Sequence, residues 1–457
     1  MDTRSEKDML GELEIPSQAY WGIHTERAVH NFQPTGGRCV PQLVHALAKV
    51  KLACCLANTE LGYLDAAVGQ ALGQACAEVA EGSWDEHFPL DALQGGAGTS
   101  QNMNMNEVLA NRTLEILGHA KGVYEVVHPL DHANLHQSTN DVFPTALKVA
   151  GIYGFRQLSQ VVAELQGAMQ RREKAFAEVV KMGRTELQLA VPMTLGAEFG
   201  AFAEAFARDR WRTFKCEERL RQVNLGGTAV GTGLAAPRRY IFLVIEKLRE
   251  TTGLGLCRGE NAVDQTANAD AFVEVMGILK ALAANLIKIC GDLRLLHMLG
   301  EIRLPAVQAG SSIMPGKVNP VILESVIQTA ILAQSQEGVV TECASRGSLQ
   351  INEFLPLLGH AFLSSLDMLG RAVGMLATHV EGIEAGPDTC QRTVGAARTN
   401  ITAFLPTIGY ERAQALLDEF ARTGREDFRE FLAEQLGADL VATTLSAQNL
   451  TSLGYRD

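Results

Sequence analysis

Five stretches of this chain, at about 142–180, 193–222, 265–298, 320–347 and 355–385, repeat apolar residues at intervals of three and four. Runs of roughly thirty residues at that period are long for a globular helix and point to a packed helical bundle. In the third run, Phe272, Val275, Met276, Leu279, Leu282, Leu286, Ile289 and Leu293 share one face, while Val273, Ile278 and Ile287 add apolar surface elsewhere on the same helix. Such a helix needs cover on more than one side, within a large protomer or from a second copy, and the pattern favours a homo-oligomer. A chain that is 47% hydrophobic but only 6% aromatic, with 43 glycines, suits helices packed closely through small side chains.

Around these runs the chain is organised more locally. Residues 1–40, punctuated by Pro16, Pro34 and Gly36-Gly37, read as an irregular start. A helical hairpin is expected over about 41–81, with breaks at Gly62 and Gly82. Beyond about Gly386 the periods shorten, with Pro406, Gly409 and the charged stretch Arg425–Arg429 as markers of smaller helices. The expected fold is all-α with three domains: a mostly helical 1–137, a long-helix bundle over 138–389 and a small helical 390–457.

A net charge of −12 offers no global field for nucleic acid or an anionic membrane, so neither is expected as a partner. An anionic substrate must be held by individual cations, hydroxyls and amides. The nine cysteines, Cys54 and Cys55 adjacent among them, form no CxxC, and their odd number argues against a disulfide framework. The N-terminal segment is charged and the chain has no long uncharged apolar run, so a soluble, untargeted cytoplasmic protein is expected. His128, His132 and His136 fall at helical spacing, but Pro129 interrupts that helix; neither a metal nor a cofactor is expected.

Short polar or glycine-rich segments separate the periodic runs, at 94–107, 134–141, 183–195, 224–234 and 308–320. The most informative is Gly310-Ser311-Ser312-Ile313-Met314-Pro315-Gly316-Lys317-Val318-Asn319-Pro320. On its residues alone it is a glycine-hinged loop presenting hydroxyls and one cation to a carboxylate, or a helix-capping loop whose serines satisfy backbone amides. The glycines of 226–233 follow no phosphate-loop pattern and read as backbone packing or a turn.

The 310–320 segment resembles the signature loop of the aspartase/fumarase superfamily. Further segments resemble that family in order: Tyr20-Trp21-Gly22-Ile23-His24-Thr25-Glu26-Arg27-Ala28, Gly96 to Glu107, His136-Gln137-Ser138-Thr139-Asn140-Asp141, Gly183-Arg184-Thr185-Glu186-Leu187-Gln188 and Gly226 to Gly233. The resemblance implies a homotetramer around a long-helix core, with each active site drawn from several subunits. It also implies elimination across a small dicarboxylate such as L-aspartate or L-malate, giving fumarate.

A proton on carbon beside a carboxylate is very weakly acidic, so the dianionic aci-carboxylate formed on its removal needs several aimed donors. By resemblance these are Thr99, Ser138, Thr139 and Ser312, with Ser311 as the general base. A serine alkoxide needs stabilisation, which backbone amides of the closed loop and Lys317 would give. Lys317 and Asn319, assisted by Thr185, would hold the other carboxylate, and Asn140 would face the leaving amino group.

Ser138-Thr139-Asn140-Asp141 and His24-Thr25 resemble the ammonia-eliminating members, whereas His128-Pro129-Leu130-Asp131-His132 is closer to the hydratases. Glu186 stands where the hydratases carry a histidine paired with a carboxylate matching Glu324. Two carboxylates resist joint ionisation unless a cation lies between them, so Glu186 and Glu324 are expected to help select an ammonium-bearing substrate, with an ordinary salt bridge from Glu186 to an arginine as the alternative. Ammonia elimination from aspartate is the leading expectation. Fumarate hydration, lyase action on another aspartate-like substrate, to which the short Leu296–Gly310 connection points, and a non-catalytic helical scaffold are the alternatives.

Overall fold

The computed structural model describes residues 2–454. Two compact units emerge. One comprises residues up to 158 with 212–281 and 332–368; the other comprises 159–211, 282–331 and residues from 369 onward.

The first unit opens with β1 (Thr3–Asp8) and β2 (Gly11–Pro16), an antiparallel hairpin in register from Thr3 opposite Pro16 to Asp8 opposite Gly11. Helix α1 (Ile23–Asn31) follows. The opening is therefore ordered, contrary to the irregular start expected. Its strands escape a hydrophobic pattern because the buried position of β1 is Glu6, whose carboxylate accepts from Arg4 and from the Ile23 amide, at 2.9 Å each.

The expected hairpin is α2 (Pro41–Glu60) packed on α3 (Ala66–Ala80). Pro41 starts α2 where its missing N–H is harmless, and Asp65 caps α3 by accepting from the Ala67 amide at 2.9 Å. Helices α4 (Thr99–Ile116) and α5 (Thr139–Ala175) come next. Inside α5, Pro144 cannot donate to the Asn140 carbonyl; Asn224 Nδ2 does so instead, at 2.9 Å.

Strands β3 (Val180–Thr185) and β4 (Gln188–Thr194) form a second antiparallel hairpin leading into α6 (Leu195–Leu220). A two-residue parallel pair, β5 (Gln222–Val223) and β6 (Cys257–Arg258), brackets α7 (Arg238–Thr252). Then come α8 (Ala262–Ala267), α9 (Asp270–Met298), β7 (Ile302–Arg303), α10 (Val321–Ser345), α11 (Leu355–Glu381) and β8 (Glu384–Ala385). The five periodic runs are thus α5, α6, α9, α10 and α11.

The face predicted for α9 is buried from Phe272 to Leu293, while Val273, Ile278 and Ile287 are half-buried. Helices α5 and α11 interlock small residues against large ones: Gly151 faces the Phe362 ring, Gly154 faces Leu366 and Gly359 faces Leu147. A Cβ on Gly151 would stand 2.7 Å from the Phe362 ring, so any larger residue there overpacks the seam.

The chain ends in the second unit with α12 (Pro387–Ala396), α13 (Leu405–Thr423), α14 (Phe428–Leu436), α15 (Ala438–Thr444) and α16 (Ala447–Leu450). Phe420 anchors a small core here, 4.8 Å from Phe428 and 5.3 Å from Phe431 between ring centres. No helix among the described residues is long and apolar enough to cross a membrane.

Candidate active site

Each unit holds one part of the residue set expected from the sequence. Thr99, Ser138, Thr139 and Asn140 belong to the first; Thr185, Glu186, Ser311, Ser312, Lys317, Asn319 and Glu324 belong to the second.

Thr99 opens α4 after Gly96, Ala97 and Gly98, all with positive φ. Gly98 has no substitute at this turn: its φ is +92° and a Cβ would meet the Phe143 ring at 2.6 Å. Asn102 lies one turn on from Thr99 along the same helix face and donates to Thr139 Oγ1 at 3.1 Å, which ties the two segments together.

Asp141 holds the start of α5. It is fully buried, accepts the Ser138 amide through Oδ1 at 3.0 Å, and accepts the Gly226 and Thr228 amides through Oδ2 at 3.1 and 3.0 Å. The glycine-rich 226–233 segment is therefore a brace for 138–141. Burial pushes the Asp141 carboxyl up to about 6, against the pull of those amides. Asn140 Nδ2 donates to the Ala229 carbonyl at 2.7 Å, which commits its nitrogen end to the same brace.

Lys51 is the unexpected member. Although it lies on the buried face of α2 and is 1% exposed, its ammonium donates to Asn134 Oδ1 at 3.0 Å and Gln137 Oε1 at 2.8 Å, in the turn before Ser138. Burial pulls it down to about 8. Asn134 Oδ1 also accepts from Asn102 and Asn106, at 3.1 and 3.2 Å. The nearby histidines take separate partners: His132 Nδ1 accepts the His128 amide at 2.9 Å and His136 Nδ1 is 2.7 Å from Asn58 Oδ1.

In the second unit the signature loop is closed at its base. The Gly310 amide donates to the Lys317 carbonyl and Asn319 Nδ2 donates to the Gly310 carbonyl, both at 2.7 Å. Within that ring Ser311 Oγ accepts the amides of Ile313 at 3.2 Å and Met314 at 2.9 Å. The capping geometry and the alkoxide-stabilising geometry are one arrangement, because two N–H dipoles aimed at the oxygen favour its negative form. Ser312 and Lys317 are exposed, and one donor of Asn319 is spent on the loop itself.

Thr185 and Glu186 sit at the end of the β3–β4 hairpin. Glu186 and Leu187 are its two turn residues, with φ of +50° and +62°, a left-handed pair that glycine or asparagine normally fills. No salt bridge joins Glu186 to an arginine, or to any other group, among the described residues, and Glu324, in the first turn of α10, lies 3.5 Å from Arg294. The two carboxylates are not joined within the protomer by any hydrogen bond among the described residues.

Glu301 was not anticipated as part of this architecture. Wholly buried, it meets Arg184 at 2.7 Å and Lys181 at 2.8 Å, and Lys181 also meets Glu198 at 2.6 Å. Regular alternation would send Lys181 and Arg184 to opposite faces of β3. The register shift between Met182 and Arg184 inserts the extra residue that brings both to Glu301.

The sequence matches, over residues 11–334, the profile of a family described as Lyase. An aspartate ammonia-lyase of Pseudomonas canavaninivorans is 45% identical, over 92% of this chain and 91% of that protein. The cobalt-bound crystal structure of fumarate lyase:delta crystallin from Brucella melitensis superposes with a TM-score of 0.93 at 43% identity, covering 98% of this chain and 99% of that one. A class II fumarase from Schistosoma mansoni superposes with a TM-score of 0.90 at 29% identity, over 97% and 98%. With the signature loop, the bracing segments and the long-helix fold all in agreement, the chain belongs to this lyase family, the aspartase/fumarase superfamily.

Proposed function

We infer that this protein is a carbon–nitrogen lyase that eliminates ammonia from L-aspartate to give fumarate, and that it works as a cytoplasmic homotetramer. The observation that carries the chemistry is the Ser311 oxygen seated on the Ile313 and Met314 amides, which favours the alkoxide a serine base requires. Ser311 takes the proton from the carbon beside one carboxylate. Thr99, Ser138, Thr139 and Ser312 donate to the aci-carboxylate that forms, and the electron pair then expels the amine from the neighbouring carbon.

Lys317, Asn319 and Thr185 hold the second carboxylate. Asn140 has its nitrogen committed to Ala229, so its Oδ1 is the free end, and a carbonyl oxygen is the acceptor that an ammonium needs. Glu186 adds negative charge for the same ammonium, with Glu324 as its counterpart from elsewhere in the assembly. Identity of 45% to an aspartate ammonia-lyase against 29% to a fumarase supports the amine over the alcohol.

The half-buried Val273, Ile278 and Ile287 on α9 and the exposed Ile331 and Leu332 on α10 support a tetramer core built from the long helices. In that reading the division into 1–137, 138–389 and 390–457 separates entry, core and C-terminal parts. The test is ultraviolet absorbance of fumarate's conjugated double bond with L-aspartate or L-malate supplied in parallel. Fumarate from aspartate supports the reading; fumarate from malate alone identifies a hydratase.

A further inference from the structure

Asn102 and Lys51 meet at the side chain of Asn134, and their hydrogen bonds have a fixed sense. The Lys51 ammonium can only donate, so the side chain of Asn134 must present its oxygen to it, at 3.0 Å. Asn102 can meet that same oxygen only through N–H, at 3.1 Å. The amide of Asn102 is thereby prevented from flipping, and its other N–H points at Thr139 Oγ1, also at 3.1 Å.

Thr139 then accepts on its oxygen from inside the protein. Among the described residues its hydroxyl donates to no protein group, which leaves its single hydrogen uncommitted. Asn102 Oδ1, buried and with no hydrogen-bond partner among the described residues, is what remains unpaired when the nitrogen is held this way round.

We propose that Asn102 is a positioning residue for the elimination: locked by Lys51 through Asn134, it fixes Thr139 as a donor toward the developing aci-carboxylate. This rests on the reading of Thr139 as a substrate-facing hydroxyl. Unlike a residue that supports the fold alone, Asn102 acts through one atom, so its effect vanishes when that atom is gone.

The experiment is a double-mutant cycle on the intact enzyme with L-aspartate, measuring kcat, KM and thermal unfolding for Asn102→Ala, Thr139→Val and the pair. Thr139→Val is expected to lower kcat roughly a hundredfold, the scale of one lost oxyanion donor, and Asn102→Ala about tenfold, each with little change in KM. The double variant is expected to match Thr139→Val. Asn102→Asp, of the same shape but able only to accept, turns the Thr139 hydrogen inward and should lower kcat as far as Thr139→Val; it decides the matter if the alanine variant does not fold.

Losses that multiply in the double variant, or wild-type kcat in Asn102→Asp, overturn the role given to Asn102. Wild-type kcat in Thr139→Val instead overturns the reading of Thr139 on which it depends.

Discussion

Arg184 reaches the wholly buried carboxylate of Glu301 at 2.7 Å, and the next residues along the chain are Thr185, which ends β3, and the turn residue Glu186. The same Glu301 begins the stem that runs through β7 to Ser311, and its carbonyl accepts the Gly386 amide at 2.8 Å. One carboxylate thus ties the hairpin to the start of the segment that leads to the signature loop. Glu301→Gln would leave Lys181 and Arg184 undercompensated in the interior. A loss of about 3 kcal/mol in unfolding free energy is expected, read from urea denaturation beside wild type.

Gly98 and Gly62 separate two effects of added bulk. Both have positive φ, +92° and +75°, but a Cβ at Gly62 meets open space whereas at Gly98 it strikes the Phe143 ring. Gly62→Ala is expected to lose about 1 kcal/mol and Gly98→Ala about 2 to 3 kcal/mol, because only the second adds steric displacement to backbone strain. Gly98→Ala should also lower kcat, since Thr99 is the next residue. Calorimetry and steady-state rates check both halves.

Glu186 occupies a left-handed turn position that favours asparagine. Glu186→Asn is expected to raise stability by about 0.5 to 1 kcal/mol by relieving the backbone and, on the proposed role of Glu186 toward the ammonium, to raise KM for aspartate. Thermal unfolding together with KM measures the two effects; an unchanged KM would remove Glu186 from substrate selection.

Burial raises two carboxyls, Glu107 to about 7 and Asp141 to about 6. Glu107 is opposed by the amides of Gly22, His24 and Thr25 and the Thr25 hydroxyl. A carboxyl with a raised folded pKa holds its proton more tightly folded than unfolded, so its favourable contribution is present in acid and is lost as pH rises through the folded value. For Glu107 the window runs from its ordinary 4.5 to about 7. Urea denaturation at about pH 5 and about pH 8 is expected to show a smaller fall in stability for Glu107→Gln than for wild type, and parallel profiles would contradict the assignment.

Much of the helical framework is legible in the sequence because α5, α6, α9, α10 and α11 repeat their apolar residues over many turns. The hairpins are not: β1 buries Glu6 where an alternating pattern would carry an apolar residue, and β3 owes its aim to a bulge at Gly183. The family's motif segments are legible because their residues cluster locally along the chain. Lys51 could not, since its partners lie beyond residue 130 and a lone cation on an apolar helix face gives no hint of what satisfies it. Glu301 and Arg184 escaped for the same reason, being joined by folding across more than a hundred residues.

The proposed elimination depends on Ser311 as its base. The decisive measurement is fumarate formation from L-aspartate by Ser311→Ala, with thermal unfolding recorded on the same preparation. With Ser311 as the base, wild-type unfolding is expected together with a kcat lower by roughly a thousandfold or more, the loss that follows removal of a general base. A folded Ser311→Ala enzyme that forms fumarate at the wild-type rate would contradict it.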